Sequence, residues 1–394
     1  MFKRIFHFTT LVTILFSLSL TMQVTTARAA SVFMVTTTAD TNDGVCDSNC
    51  SLREAITAAN NLAGTDTITV PAGTYTLTIA GADEDINATG DLDITDSLTI
   101  NGMGSSTIIQ AGVTSGAGID RVFHVLAGSI VSISNTTIAN GTCSLCYGGG
   151  IFNDDGTLTV TNITFSDNAA GYGGGIFNEG TTFVSNSTFL GNSGAGNGGG
   201  IINANTMDVT NSTFSSNETP GSGGGIFNGL GNLTVTNSTF SNNSANFGDG
   251  GGIYNQATLH LKNNILANST AGGDCYNFSG DTISTNTNNL IETNSLAGHM
   301  CGTAILASDP NLGTLTGSPA YLPLNGGSPA IDAGDDATCA AAPVSNTSQN
   351  GVSRPSSTHC DIGSFEKAQV FADVPFDGFA WAQIESIYTA GITG

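Results

Sequence analysis

Basic residues are scarce in this chain. Lys and Arg number 8 against 31 Asp and Glu in 394 residues, which gives a formal net charge of −23 at pH 7. No Lys or Arg occurs between Arg121 and Lys262. Nucleic-acid binding requires a basic face for phosphate contacts, and anionic membrane surfaces attract the same cationic side chains. The composition therefore argues against both partners, and it favours solubility and contact with divalent cations.

Long apolar runs are also absent after the N-terminus. The run from about Phe8 to Met22 follows Lys3 and Arg4, and it is too short for a good membrane span. Ala27-Arg28-Ala29 then supplies a small-x-small cleavage site, so residues 1–29 are typical of a secretory signal peptide. We expect a secreted or cell-surface (cell-envelope) protein, with no transmembrane anchor in the mature chain.

The eight cysteines suit an oxidising compartment. Zinc is the alternative at Cys143-Ser-Leu-Cys146, but a zinc site needs a second pair or nearby histidines, which the sequence lacks. Because the cysteines come in local pairs, we expect four disulfides: Cys46–Cys50, Cys143–Cys146, Cys275–Cys301 and Cys339–Cys360.

A glycine-rich motif repeats along the chain. GGGIFN occurs at 148–153, 173–178 and 223–228, with GGGIIN at 198–203 and GGGIYN at 250–255. The isoleucines of these motifs lie 25, 25, 25 and 27 residues apart: Ile151, Ile176, Ile201, Ile226 and Ile253. A period of this length indicates one supersecondary unit that stacks on its neighbours.

The second half of each unit reads as short strands around a bend. Leu158 and Val160 alternate with threonines, and after Asn162 the apolar phase shifts to Ile163 and Phe165. Such a unit is one coil of a β-solenoid, with equivalent residues about 4.7–4.9 Å apart along the axis. We therefore predict a ladder of bend asparagines, each amide bonded to the next: Asn135, Asn162, Asn186, Asn211, Asn237 and Asn263.

The coils resemble the right-handed parallel β-helix repeats of the pectin-lyase-like superfamily, and more narrowly those of bacterial polymorphic outer-membrane proteins. The resemblance rests on the GG-x-I element and on F-x-x-N, which stands at 165–168, 189–192, 214–217 and 240–243. It implies an all-β fold, a right-handed parallel β-helix of about 25 residues per coil, over residues 67–326.

The N-terminal stretch CDSNCSLREAITAAN resembles the CSLREA module of secreted bacterial β-helix proteins. Ser51 and Glu54 form the capping-box pattern S-x-x-E before an apolar-periodic run. We predict a short helix that covers the first coil within a cap over residues 30–66. Arg53 and Glu54 are also candidates for catalysis, but capping already accounts for Glu54.

Two C-terminal segments carry further resemblances. Residues 327–367, with GSPAIDAG and RPSSTHCDIGSFE, resemble the closing segment of the same secreted proteins. Residues 371–394 resemble the opening half of an S-layer homology module, a type of domain that binds cell-wall polysaccharide.

Acidic residues offer the main candidates for chemistry. A glycosidase needs two carboxylates about 5–10 Å apart, and Asp91 and Asp93 would share one face of a strand. They have no aromatic neighbours in sequence and the histidines are isolated, so we predict no catalytic residue. Calcium prefers irregular, oxygen-rich loops, and two such loops are candidate calcium sites: Asp40, Asp43 and Asp47, and Asp332, Asp335 and Asp336.

One surface follows from strand alternation. If Ile points inward in G-I-F-N, the next residue points outward. This predicts an apolar stripe along the solenoid, although the same side chains could instead fill the core or be covered by a loop: Phe152, Phe177, Ile202, Phe227 and Tyr254.

These features favour an exported, monomeric, non-catalytic β-helix, adhesin-like or contacting cell-envelope or extracellular polysaccharide. Two alternatives stay open. One is a polysaccharide lyase or hydrolase of the pectate-lyase type acting on acidic glycans, and the other is a structural spacer without a ligand.

Overall fold

The computed structural model of the protein describes residues 30–82, 84–278, 281–294 and 299–369. The predicted signal peptide (1–29) and the segment that resembles an S-layer homology module (371–394) lie outside the described residues. Within the described ranges, no helix has the length and apolar character that crossing a membrane requires.

Each central coil contributes strands to three parallel sheets. The coil that begins at Ile151 places Ile151–Asn153 in the first, Thr157–Ser166 in the second and Ala169–Tyr172 in the third. The next coil repeats the pattern directly alongside, with Ile151 opposite Ile176. Thr, Val, Ile and Phe dominate these strands because they suit a pleated, half-buried surface. The parallel β-helix is confirmed.

The sheets contain eight, 17 and five strands within the described residues. The eight-stranded sheet comprises Leu92–Ile94, Phe123–Val125, Ile151–Asn153, Ile176–Asn178, Ile201–Asn203, Ile226–Asn228, Ile253–Asn255 and Cys275–Asn277. The five-stranded sheet comprises Thr142–Tyr147, Ala169–Tyr172, Ser193–Gly194, Glu218–Thr219 and Ser244–Ala245. The long sheet comprises Val32–Met34, Asp66–Thr69, Gly73–Thr76, Leu98–Asn101, Thr107–Gln110, Ile130–Ala139, Thr157–Ser166, Thr181–Ser185, Thr188–Leu190, Thr206–Thr210, Thr213–Ser215, Asn232–Thr236, Thr239–Ser241, Thr258–Lys262, Ile265–Ala267, Thr282–Thr287 and Leu290–Ile291.

The core runs inside the coils as files of equivalent side chains. The motif isoleucines are fully buried, and a file of phenylalanines stacks with 4.4–4.6 Å between ring centroids: Phe165, Phe189, Phe214 and Phe240. Stacking buries in each coil the apolar face that a single coil would expose, which is the stabilising principle of repeat proteins.

The three glycines of the motif make one tight corner. Gly198 has φ +65°, which residues with a Cβ rarely adopt. A Cβ on Gly199 would lie 2.5 Å from the carbonyl oxygen of Gly224 in the next coil. The corner therefore needs glycine for its backbone conformation and for the close approach of neighbouring coils.

The bend asparagines stand in single file, as the register around them requires. They have positive φ values, 56° at Asn162 and 47° at Asn211. The prediction that each amide bonds to the next is wrong for most of the file. Asn162 Nδ2 donates to Asn135 Oδ1 at 3.1 Å, but the side-chain oxygens of Asn186, Asn211 and Asn237 have no hydrogen-bond partner.

Amide ladders do form, in two other files. The motif asparagines are joined Nδ2 to Oδ1 at 2.7–2.8 Å: Asn153, Asn178, Asn203, Asn228, Asn255 and Asn277. The asparagines of F-x-x-N are joined at 2.9–3.0 Å: Asn168, Asn192, Asn217 and Asn243. These side chains are buried, so their amides must find partners within the protein, and the equivalent amide of the next coil is the nearest one.

The bend file instead faces the C-terminal part of the chain. Asn211 Nδ2 donates to the carbonyl oxygen of Thr347 at 3.2 Å, and Asn263 Nδ2 donates to that of Asp335 at 3.2 Å. Gln349 Nε2 donates to the carbonyl oxygen of Ser187 at 3.2 Å. Residues 316–367, which include the strand pair Thr316–Gly317 and Ala320–Tyr321 and the helix Asp336–Ala340, therefore cover the side of the coils.

A helix covers the first coil, as predicted. It spans Leu52–Asn60, and its Ser51–Glu54 capping box is complete. Arg53 is buried, with Nε 2.8 Å from Asp40 Oδ1 and a 2.8 Å hydrogen bond to the carbonyl oxygen of Asp91. Capping and buried pairing thus account for Arg53 and Glu54 without catalysis. A 3-10 turn at Gly104–Ser106 completes the helical elements of the described residues.

Candidate functional site

One file of side chains runs along the outside of the eight-stranded sheet. It takes the middle residue of each strand, and the register places these residues next to one another in successive coils. We call it the outer column: Asp93, His124, Phe152, Phe177, Ile202, Phe227, Tyr254 and Tyr276.

The middle of the outer column is not the exposed apolar stripe that alternation predicts. The side chains do leave the core, since Phe152, Phe177 and Ile202 form a small cluster of their own. They are nevertheless only 9%, 8% and 5% exposed, Tyr254 is 7% exposed, and Phe227 is half-buried. Neighbouring side chains cover part of the file, for example Tyr147, whose ring centroid lies 4.5 Å from that of Phe177.

The N-terminal end of the outer column is ionisable. His124 Nδ1 lies 3.3 Å from Asp93 Oδ1 and 3.4 Å from Asp85 Oδ1, and its Nε2 lies 3.9 Å from Asp154 Oδ2. His124 and Asp93 are buried, whereas the Asp85 side chain is 65% exposed. The prediction that this histidine is isolated is wrong, because coil stacking brings together residues that are distant in sequence.

A second ionisable group lies beside this end. Arg121 Nε is 2.9 Å from Asp91 Oδ2 and 3.9 Å from Asp120 Oδ1. Burial, with the nearby charge of Asp93, raises the pKa of Asp91 to about 8 despite the attraction of Arg121. The guanidinium also lies 5.4 Å from the ring centroid of Phe152, within cation–π range.

The C-terminal end of the outer column is aromatic and open. The rings of Tyr254 and Tyr276 stack at 5.2 Å, and Tyr276 stacks on His299 at 4.6 Å. Burial and the charge of Asp249 raise the pKa of the Tyr276 hydroxyl, so it stays a hydrogen-bond donor. We call the concavity here, of about 480 Å³, the aromatic concavity: Asp249, Gly272, Gly273, Tyr276, Thr293, Asn294 and His299.

The first candidate calcium loop does not converge on a common point. Asp40 pairs with Arg53, Asp43 Oδ1 accepts from the backbone N–H of Val45, and Asp47 Oδ1 accepts from that of Asn49. Within the described ranges, these three carboxylates do not form a cluster with ligand atoms inside 4.8 Å. Their proximity in sequence reflects separate local turns.

The second candidate calcium loop is also occupied by internal bonds. Asp332 Oδ2 accepts from the Ser357 hydroxyl at 3.0 Å. Asp335 caps the helix Asp336–Ala340, and Asp336 Oδ2 lies 2.8 Å from His359 Nδ1. Among the described residues, the carboxylates of these three aspartates do not lie within 4.8 Å of one another as a group either. Both candidate sites thus hold the chain together through ordinary hydrogen bonds.

The predicted cysteine pairs are brought together by the fold. Disulfides join Cys46 to Cys50, Cys143 to Cys146, Cys275 to Cys301 and Cys339 to Cys360. Cys275–Cys301 lies beside Tyr276 and so ties the segment that carries His299 to the coil behind it. Asp120 approaches Cys143 and Cys146 within 4.8 Å, but the two sulfurs are bonded to each other.

Comparison with known proteins bears on the fold. A family model described as "Right handed beta helix region" matches residues 97–266. The coils form a right-handed β-helix. Among solved structures, the crystal structure of pectate lyase Pel9A is similar at 15% identity, with a TM-score of 0.42, covering 87% of this chain and 98% of that chain. No curated protein matches.

Proposed function

We propose that this chain is an exported, secreted or cell-surface β-helix that contacts carbohydrate through the aromatic end of its outer column, without turning it over. The observation that carries the proposal is the aromatic concavity, where Tyr276 and His299 stack with ring planes 12° from parallel and both line an open cleft.

The composition of this cleft suits a sugar. The apolar C–H face of a pyranose packs on aromatic rings, and its hydroxyls need a few polar groups for orientation. Tyr254 and His299 stack on the two faces of Tyr276, so Tyr276 offers its ring edge and hydroxyl, while His299, the last ring of the stack, offers the ring face. Asp249, Thr293 and Asn294 supply carboxylate, hydroxyl and amide groups.

The charge of the chain narrows the class of glycan. A formal net charge of −23 repels polyuronates, and Asp249 places a carboxylate in the cleft itself. We therefore expect a neutral polysaccharide of the cell envelope or extracellular matrix. The cleft lies at the last strand of the eight-stranded sheet, Cys275–Asn277, a position that suits contact with a large polymer.

Affinity electrophoresis of the full chain tests this proposal. Gels would contain soluble glucans and galactomannans, with polygalacturonate as the acidic comparison. At least one neutral polysaccharide should retard the wild type, and Tyr276→Ala should weaken the apparent affinity about tenfold, because it removes a lining group of the cleft and the ring on which His299 stacks. Tyr172→Ala, which removes an exposed ring from the five-stranded sheet, is the matched control and should leave retardation unchanged.

Other outcomes would point to the alternatives. Release of unsaturated uronate or of reducing ends from any polysaccharide would show that the protein is an enzyme of the lyase or hydrolase type, and not only a binding protein. Failure of every polysaccharide to retard the chain would leave the spacer interpretation.

A further inference from the structure

Three potential metal ligands converge at the acidic end of the outer column. The Nδ1 of His124 and one carboxylate oxygen each from Asp85 and Asp93 all lie within 4.8 Å of one another. Nδ1 is 3.3 Å from the Asp93 oxygen and 3.4 Å from the Asp85 oxygen. Ligands of a tetrahedral zinc ion with bonds of about 2.0–2.1 Å are separated by roughly 3.3–3.4 Å.

Two buried atoms of this cluster have no hydrogen-bond partner. Asp93 is fully buried, and its Oδ1 makes no hydrogen bond; neither does Nε2 of His124, which is 8% exposed. An unpartnered buried polar group costs about 1–3 kcal/mol. Oδ2 of Asp93 is already used, since it accepts from the backbone N–H of Asn87 at 2.9 Å. Oδ1 therefore lies close to His124 without a hydrogen bond to any group of the protein.

The surroundings hold the ligands in place. The His124 ring stacks on Phe152 with centroids 5.0 Å apart and planes 10° from parallel. Asp154 Oδ2 lies 3.9 Å from Nε2, beyond hydrogen-bond distance, so it places a further negative charge beside the imidazole without bonding to it. Asp85 is the exposed member, so an ion can reach the cluster from solvent.

We propose that His124, Asp85 and Asp93 bind one divalent transition-metal ion of the zinc type, with a fourth position open to water. Calcium does not fit as well, because it takes six to eight oxygen ligands, whereas this set has three donors and one is an imidazole nitrogen. The site is separate from the aspartate loops, and it lies at the opposite end of the outer column from the aromatic concavity.

Calorimetric titration of the untagged, metal-free full chain with ZnCl₂ tests the proposal, with CaCl₂ as the second probe. Zinc should bind at one site per chain and raise the thermal midpoint, because it binds only the folded state. Asp85→Asn should weaken zinc binding by at least about tenfold, and it should leave the fold intact because Asp85 is exposed. His124→Gln should abolish the site.

His359→Gln is the matched control. His359 Nδ1 also pairs with an aspartate, Asp336, at 2.8 Å on an exposed surface. Among the described residues, however, that pair does not belong to a group of three potential metal ligands. Zinc binding by this variant should equal that of the wild type. The proposal is overturned if zinc does not bind, if Asp85→Asn binds zinc as tightly as the wild type, or if His359→Gln removes the binding instead.

Discussion

The two long faces of this β-helix are built from the same repeat but differ in what covers them. On the bend face, the asparagine file is covered from Asn211 to Asn263 by residues 316–367 of the same chain. On the face of the eight-stranded sheet, the outer column ends in an open aromatic concavity. A ligand can therefore reach the side chains of this concavity, whereas the asparagines from Asn211 to Asn263 are covered.

The difference shows that the repeat determines where a side chain lies in the coil but not which groups it bonds to. Asn153 and Asn211 each recur once per coil, yet the first file bonds along the axis and the second bonds to the C-terminal segment. In the same way, one outward position carries Asp93, Phe152 or Tyr276 in different coils. Side chains of different chemical type therefore occupy equivalent positions of successive coils, while the backbone of the strand repeats.

The largest effect should come from the buried arginine of the covered face. Arg354 is buried and donates to the carbonyl oxygens of Asp361 and Gly363, with Nη1 3.3 Å from Glu366 Oε2. Arg354→Met leaves the buried carboxylate of Glu366 without its cationic partner, which should cost about 3–5 kcal/mol of unfolding free energy. Chemical denaturation measures it.

Arg121 is the comparison on the open face. Its side chain is 15% exposed, and burial raises the pKa of its partner Asp91 to about 8, so that partner can stay protonated. Arg121→Met should cost less than half as much as Arg354→Met. Equal costs for the two variants would contradict the distinction between the faces.

The segment that covers the bend face should also differ from the coils in how its stability depends on pH. Burial, together with the charge of Glu366, raises the pKa of Asp361 to about 7. The folded segment then holds a proton that the unfolded segment releases, so this stability is present below about pH 4 and is lost as the pH rises to 7. Between pH 5 and pH 8, the opening free energy of residues 354–366 should fall by on the order of 1–2 kcal/mol.

Native-state hydrogen exchange, corrected for intrinsic rates, measures that opening free energy. Residues 201–228 of the central coils are the internal reference and should change less. Opening of the C-terminal segment that is independent of pH, or that becomes harder as the pH rises, is incompatible with a raised pKa at Asp361.

A smaller effect should distinguish two bend asparagines. Asn211 and Asn186 have φ 47° and 49°, and the side-chain oxygen of each has no partner, but Asn211 Nδ2 donates to the carbonyl oxygen of Thr347. Alanine has the same backbone penalty at both positions, so Asn211→Ala should destabilise by about 1 kcal/mol more than Asn186→Ala. Equal losses in thermal unfolding would mean that the C-terminal segment gains nothing from this contact.

The smallest effect should be at the open end. Tyr276 is half-buried, outside the core, between the rings of Tyr254 and His299. Tyr276→Ala should therefore change the unfolding free energy by only about 0.5–1 kcal/mol. Thermal unfolding of the variant checks this expectation. A loss of several kcal/mol would make Tyr276 a core residue and remove the basis for its role in binding.

Much of the fold was predictable from the sequence. The 25-residue period, the inward isoleucines, the capping helix and the parallel coils follow from periodicity and turn chemistry, which act locally. The cover over the bend face was not predictable, because Thr347 and Asn211 are 136 residues apart and residues 316–367 carry no repeat signal.

The ionisable end of the outer column was missed for a related reason. The strands LDI and FHV lack the GGG corner, so the repeat motif does not align Asp93 and His124 with Phe152. Placing them in register with I-F-N would have revealed the file, since the structure pairs Asp93 with His124 and His124 with Phe152. Asp85 and Asp154 come from irregular segments beside these strands and carry no such signal.

Oxidative footprinting of side chains, with and without a polysaccharide that retards the chain, tests most directly which face binds. The account predicts protection of Tyr276 and His299 and no change at Tyr321 and Phe365, whose rings pack at 5.6 Å in the C-terminal half of the chain. Protection of Tyr321 and Phe365 with Tyr276 and His299 still reactive would place the ligand elsewhere and contradict the account.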